Sequence, residues 1–227
     1  MTSYGLYTTP YISKINILGD INTGFTIGSS FNSYVNIMKQ QSDDKILIGG
    51  NFSTYSGTEY SKLIRLSLYG TIDTGFTIGN GFTNWVNSLD IQSDGKILVG
   101  GTFTSYSGSS QNRLIRLNSN GVKDTSFDVG SGFDNNINII KIQSDGKILV
   151  GGAFTTYSGE TKYNYSTTKY ISSILNNSNI NTGFTCHDSF NNTIWCVEKQ
   201  SDGKILVGGD FTTYSGVTTN RIIRLNS

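Results

Sequence analysis

The stretch Gln92-Ser-Asp-Gly-Lys-Ile-Leu-Val-Gly-Gly-Thr-Phe-Thr-Ser-Tyr-Ser-Gly108 decides the fold, because the chain repeats it. Close copies run from Gln41 to Gly57, Gln143 to Gly159 and Gln200 to Gly216, with starts 51, 51 and 57 residues apart. A fixed period of this size marks a solenoid or a propeller, whose units bury their apolar faces against one another. The chain is thus an array of one structural unit.

Outward from the block, each unit reads as four short strands. Strand a precedes it, over 34–40, 85–91, 136–142 and 193–199. Strand b starts at the lysine of the block, as in Lys45 to Phe52. Between them lies Asp-Gly at 94–95, 145–146 and 202–203, a strong hairpin signal that predicts a type I′ turn. The first copy carries Asp43-Asp44 there, which accepts positive φ less readily. Strand c covers Lys62 to Ser67, Arg113 to Asn118, Tyr170 to Leu175 and Arg221 to Asn226, and a short strand d ends in Phe25, Phe76, Phe127 or Phe184. Glycine pairs close strand b, at 49–50, 100–101, 151–152 and 208–209. Glycine weakens a strand unless another backbone comes close, as at the crowded centre of radially arranged blades. No helix-period segment follows these pairs, which argues against a phosphate-cradling loop.

The expected fold class is all-β: a β-propeller of four d-a-b-c blades, 21–67, 72–118, 122–175 and 180–226, within residues 17–227. Residues 1–16 form an extra N-terminal strand, because Tyr11-Ile-Ser-Lys-Ile-Asn16 has the register of strand c. Such a surplus strand is expected to cover an edge of this ring or of a neighbour's, burying Ile12 and Ile15.

The formal charge of +1, with 15% charged residues, offers no basic patch for nucleic acid. The first ten residues lack the basic and apolar regions of a signal peptide, and no apolar stretch is long enough to predict membrane insertion. Cys186 and Cys196 stand in register with isoleucine or valine in other units and are expected as small buried hydrophobes, with a cross-strand disulfide as the alternative. With the lone His187 they supply too few ligands for a metal site, so no metal and no cofactor is expected.

The run Asp-Gly-Lys-Ile-Leu-Val-Gly-Gly-x-Phe-Thr-x-Tyr-Ser-Gly, followed by Arg-Leu-Ile-Arg-Leu-Asn and Asp-Thr-x-Phe, resembles the delta-60 repeat family from about Tyr11 to Ser227. The resemblance implies a β-propeller of the kind found in bacterial surface proteins and phage structural proteins. It brings no catalytic residues. Ser173 departs from the pattern by replacing the arginine of strand c.

Residues repeated in every unit are explained by the blade, so function belongs at positions that differ. Tyr34 and Trp85 share a register at the start of strand a, where other units have Asn136 and Thr193. An aromatic there either packs or stacks on a sugar. The longest b–c loop, 160–169, carries Tyr163, Asn164 and Tyr165, a composition suited to adaptable binding and equally to a solvated insertion. The recurring Lys and Asp fit turn chemistry better than catalysis, since an active site is needed once. The sequence therefore points to a non-enzymatic structural or adhesive module of a virion, an extracellular space or a cell surface. Its expected partners are other proteins or copies of itself within a larger assembly. The alternative is a glycan-binding lectin-like propeller.

Overall fold

The computed structural model describes residues 3–4, 7–8, 11–26, 28, 30–158, 166–167, 169–184 and 190–226. Four three-stranded antiparallel sheets carry the repeats, each in the order a-b-c. They are Val35–Gln40, Ile46–Gly50 and Leu63–Leu66; Val86–Ile91, Ile97–Gly101 and Leu114–Leu117; Ile137–Ile142, Ile148–Gly152 and Ile171–Ile174; and Ile194–Lys199, Ile205–Gly209 and Ile222–Leu225. The architecture is an all-β propeller array with no helix among the described residues.

Strand d shrinks to a single antiparallel bridge, and that bridge joins it to the strand c before it. Leu66 pairs with Ile72, Leu117 with Lys123 and Ile174 with Ile180. Hydrogen bonding therefore groups the strands as a-b-c-d in chain order. Ile15 bridges Ile21 in the same way, so residues 11–21 form the outer half of a further blade. Ile12 is buried with Phe25 and Phe31, as expected, but Ile15 is 55% exposed. The reason is directional. Leu66 and Leu117, at the same register, face the preceding blade, and no described three-stranded sheet precedes residues 11–16.

The turns correct a second expectation. At Asp-Gly only the glycine has positive φ, 82° at Gly95, and the Gly95 amide bonds the Gln92 carbonyl at 2.9 Å. This is a type I turn followed by a left-handed residue, the three-residue hairpin solution. In the first copy Asp44 takes that conformation at 65°. The turn with both central residues positive lies elsewhere, at Ser56-Gly57 (48° and 81°), Ser107-Gly108 and Ser215-Gly216. It closes small hairpins such as Thr54–Tyr55 with Thr58–Glu59, inside what reads in sequence as the b–c loop.

The core consists of layers between successive blades. The layer between the first two blades takes Leu47 and Leu63 from one and Val86, Leu89, Val99 and Leu117 from the next. Each layer is edged by an aromatic trio. Phe82 lies 4.6 Å from Phe103 and 4.7 Å from Tyr106 between ring centroids, both tilted as aromatic pairs prefer. The tyrosine hydroxyl then donates to a carbonyl of the c–d turn, Tyr55 to Gly70 and Tyr157 to Ser178, each at 2.6 Å. Burial pushes the Tyr55 phenol up to about 12.

A buried arginine ties the layers together. Arg65 on strand c donates from Nε to Asp73 at 2.7 Å, lies over the Phe76 ring, and reaches the Ser119 carbonyl of the next blade at 2.5 Å. Arg116, Asp124, Phe127 and Asn176 repeat the arrangement one blade on. Ser173 breaks it. Asn181 there donates to the Ser173 hydroxyl at 3.2 Å, and the space of the absent guanidinium opens into a cavity of about 590 Å³ beside Arg224.

Candidate binding site at the inner strands

Every strand a carries a β-bulge at its start, shown by a register shift between Val35 and Ile37, Val86 and Ser88, Ile137 and Ile139, and Ile194 and Cys196. A bulge leaves one residue outside the ladder and re-aims its side chain. The residues so placed are Asn36, Asn87, Asn138 and Trp195. Asn36 Nδ2 donates to the Val86 carbonyl at 3.2 Å, Asn87 Nδ2 to Ile137 at 3.0 Å, and Asn138 Nδ2 to Ile194 at 2.9 Å. The three amides form a ladder from blade to blade. In the fourth blade an indole stands in the ladder position, held by its Nε1–H to Asp210 at 2.8 Å. Arg221 secures Asp210 in turn, donating to its carbonyl at 2.7 Å.

The three ladder asparagines and Trp195 line a cavity of about 340 Å³ together with Trp85, Thr102 and Asn136. Trp85 and Trp195 are both exposed. The Thr102 hydroxyl and the Arg113 Nε are buried with no protein partner, while Arg113 Nη1 donates to the Thr102 carbonyl. An unpaired buried donor is costly unless a ligand or water meets it. The surface thus offers indole faces and neutral amides. It suits a neutral, hydroxyl-bearing ligand better than a charged one.

Of the residues singled out from sequence, Trp85 lies in this cavity. Tyr34 does not line it. It is exposed and meets Tyr11 edge to face, with centroids 6.0 Å apart. Tyr163, Asn164 and Tyr165 lie outside the described residues, as do Cys186 and His187. Cys196, expected to be buried, is a free and exposed thiol. Its equivalents Ile37 and Ile139 pack against the blade that follows, and no described blade follows the fourth. Trp195 and the asparagine ladder were not anticipated. The signal was present as a tryptophan breaking a column of asparagines, but only the bulge turns that column toward the neighbouring blade.

The perturbed carboxylates lie apart from the cavity and have structural partners. Asp134 is raised by burial but lowered further by the hydroxyl and amide of Thr155 and the amide of Thr156, and ends below the usual carboxylate range. Asp145 is lowered by Lys147.

Stacked, bulged, four-stranded units of this kind define a β-propeller. A family model for a β-propeller domain of unknown function, DUF5122, matches residues 41–76, 92–127, 143–165 and 200–227, more than half of the chain. The chain belongs to that family. Among solved structures it is similar to the WD40 β-propeller domain of Doa1, with TM-score 0.52 and 16% identity over 86% of this chain and 51% of that one. The extracellular domain of a putative one-component system, BT4673 from B. thetaiotaomicron, gives TM-score 0.49 and 17% identity over 82% of this chain and 22% of that one. A protein of unknown function from Bacteroides caccae gives TM-score 0.44 and 15% identity over 86% and 62%. The chain thus spans about half the length of the first of these and about a fifth of the second. A search of curated proteins found no match. At such identities the likeness concerns the fold.

Proposed function

We propose that the chain is a non-enzymatic recognition module displayed on a virion or a cell surface, in keeping with its resemblance to delta-60 repeats. The observation that carries this reading is the cavity at the inner strands, where Trp85 and Trp195 flank a ladder of neutral amides. The repeated Asp, Lys and Arg side chains are engaged in turns and between blades, as with Arg116 and Asp124, which leaves the non-repeated indoles to distinguish one partner from another. The module holds its surface rigid through the interblade ladder and presents aromatic faces at low entropic cost.

A glycan is the ligand class favoured by exposed indoles beside neutral asparagine amides. Sugar hydroxyls would pair with the amides, and a sugar C–H face would lie on the ring. The test is binding to a glycan array and to intact cells by wild type, Trp85→Ala and the Trp85→Ala/Trp195→Ala double variant. Both variants remove exposed side chains and should keep the melting temperature within a degree or two, since surface substitutions change stability by only about 0.5 kcal/mol. The double variant is expected to lose at least about tenfold in affinity, near 1.4 kcal/mol. Full binding by the double variant would exclude the cavity as the recognition site.

A further inference from the structure

The third blade lacks the ion pair that the first two share, and both of its members are replaced together. Ser173 stands at the place of Arg65 and Arg116, and Asn181 at that of Asp73 and Asp124. Asn181 keeps one bond of the aspartates. Its Oδ1 accepts the Gly183 amide at 3.2 Å, as Asp73 Oδ1 accepts the Gly75 amide at 3.0 Å. That bond fixes which way the amide faces, so the donor Nδ2 stands where the other blades place the acceptor Oδ2 of the arginine Nε–H. The same exchange changes the partners of a lysine. Lys45 and Lys96 each bridge two carboxylates, the second being Asp73 or Asp124. Lys147 pairs with Asp145 alone among the described residues, at 2.7 Å. A second ammonium comes from Lys199 of the fourth blade, half-buried at a strand end where the other blades have Gln40, Ile91 and Ile142. Lys147, and more weakly Lys199, hold the Asp145 carboxyl below its usual range, so both cations act on one place.

We infer that the cavity of about 590 Å³ between these residues binds a sugar acid, a hexuronic acid whose carboxylate meets Lys147, Lys199 and the Asn181 amide. The exchange of Arg and Asp for Ser and Asn turns a place built to hold a cation into one that offers donors. Of the charged side chains lining it, Asp145 is the only acid among the described residues, against Lys147, Lys199 and Arg224. The volume lies within the range of roughly 300–1,000 Å³ usual for small-molecule sites.

The aromatic floor decides what carries the carboxylate. In the first two blades a guanidinium lies over the equivalent ring, 4.7 Å from the centre of Phe76 and 4.5 Å from that of Phe127. Phe184 lines the cavity at this place. The face of an aromatic ring is negative, so it attracts a cation or a C–H group and repels a carboxylate. The ligand therefore lays a C–H face on Phe184 and turns its charge toward the lysines. Acetate or inorganic phosphate brings charge without such a face, and a neutral hexose brings the face without charge. Gln143 lines the same cavity and can accept from a sugar hydroxyl, as Gln41 and Gln92 accept from the arginines. None of these residues belongs to the cavity of Trp85 and Trp195, so the two sites stand apart.

The test is calorimetric titration of the full chain with sodium glucuronate, and with glucose, acetate and inorganic phosphate for comparison. Glucuronate is expected to bind at least about tenfold more tightly than any of the three, and more weakly as salt screens the lysines. The double variant Ser173→Arg/Asn181→Asp rebuilds the ion pair of the other blades and fills the cavity. It should melt no lower than wild type and lose glucuronate binding. Lys199→Ile installs the residue of the second and third blades and should weaken binding at least about tenfold. Thermal melts confirm that each variant is folded, and Lys199→Ile carries the test should the double variant fail. A galacturonate tetrasaccharide that binds as tightly as the monomer makes a polysaccharide the source of the ligand, and binding by the monomer alone makes it the free sugar. The proposal is overturned if glucuronate does not bind, or if glucose, acetate or phosphate binds as tightly. Full glucuronate binding by the folded variants overturns it as well.

Discussion

Asp124→Ala is expected to lower the stability of the chain by about 3–5 kcal/mol, the cost of removing one partner from a buried ion pair. Arg116 donates to Asp124 at 2.8 Å, is almost fully buried, and lies with its guanidinium 4.5 Å from the centre of the Phe127 ring. Without the carboxylate that charge keeps the Asn176 carbonyl, at 2.8 Å, and a contact to the Gln92 side chain, but no counter-ion. Burial alone would raise the Asp124 carboxyl. The Ser126 hydroxyl and amide and the Arg116 guanidinium more than offset this and hold it at about 2. That lies below the ordinary aspartate value of about 3.9, so the contribution is complete above about pH 4 and is lost as pH falls through about 2. Denaturant melts of wild type and Asp124→Ala should therefore differ most at neutral pH and converge in strong acid. A gap that persists unchanged into acid would assign the loss to packing rather than to charge.

The array of blades was legible because the apolar periodicity and the glycine pairs recur at a fixed spacing, and a repeated signal survives local ambiguity. What the sequence misplaced was local geometry. Asp94-Gly95 and Ser107-Gly108 both look like tight turns, yet only the second takes positive φ at both positions. The Asp94 side chain prefers to cap the Lys96 amide at 3.1 Å, and this holds the first turn in its three-residue form. The candidate site was half legible. Trp85 stood out as an aromatic in a variable column. The asparagine ladder stayed hidden, because a strictly alternating strand would send Asn87 away from Ile137, and the bulge that redirects it has no compositional mark. Exposure at the ends of the array could not be read either. Ile222 and Leu114 are equivalent in sequence and differ only in what packs over them.

Gly100→Val should cost about 3 kcal/mol, the upper end of the usual range for overpacking, and Gly208→Val much less. A Cβ at Gly100 would lie 2.6 Å from Ile137 Cγ2 and 2.7 Å from Ile140 Cδ1, both fully buried side chains of the next blade. Neither has room to move, and valine adds two more carbons in the same direction. At Gly208 the new Cβ meets the Cys196 sulfur at 2.6 Å, the free end of an exposed side chain that can rotate away. Neither glycine has positive φ, so backbone strain is equal and small at both. The difference between the two variants therefore isolates the packing of one blade upon the next. Urea melts should show a large loss for Gly100→Val and a small one for Gly208→Val. Equal losses would mean that the fourth blade is as tightly covered as the second. Equal tolerance would mean that the glycine pairs are only flexible spacers, and that the close approach between blades does not select them.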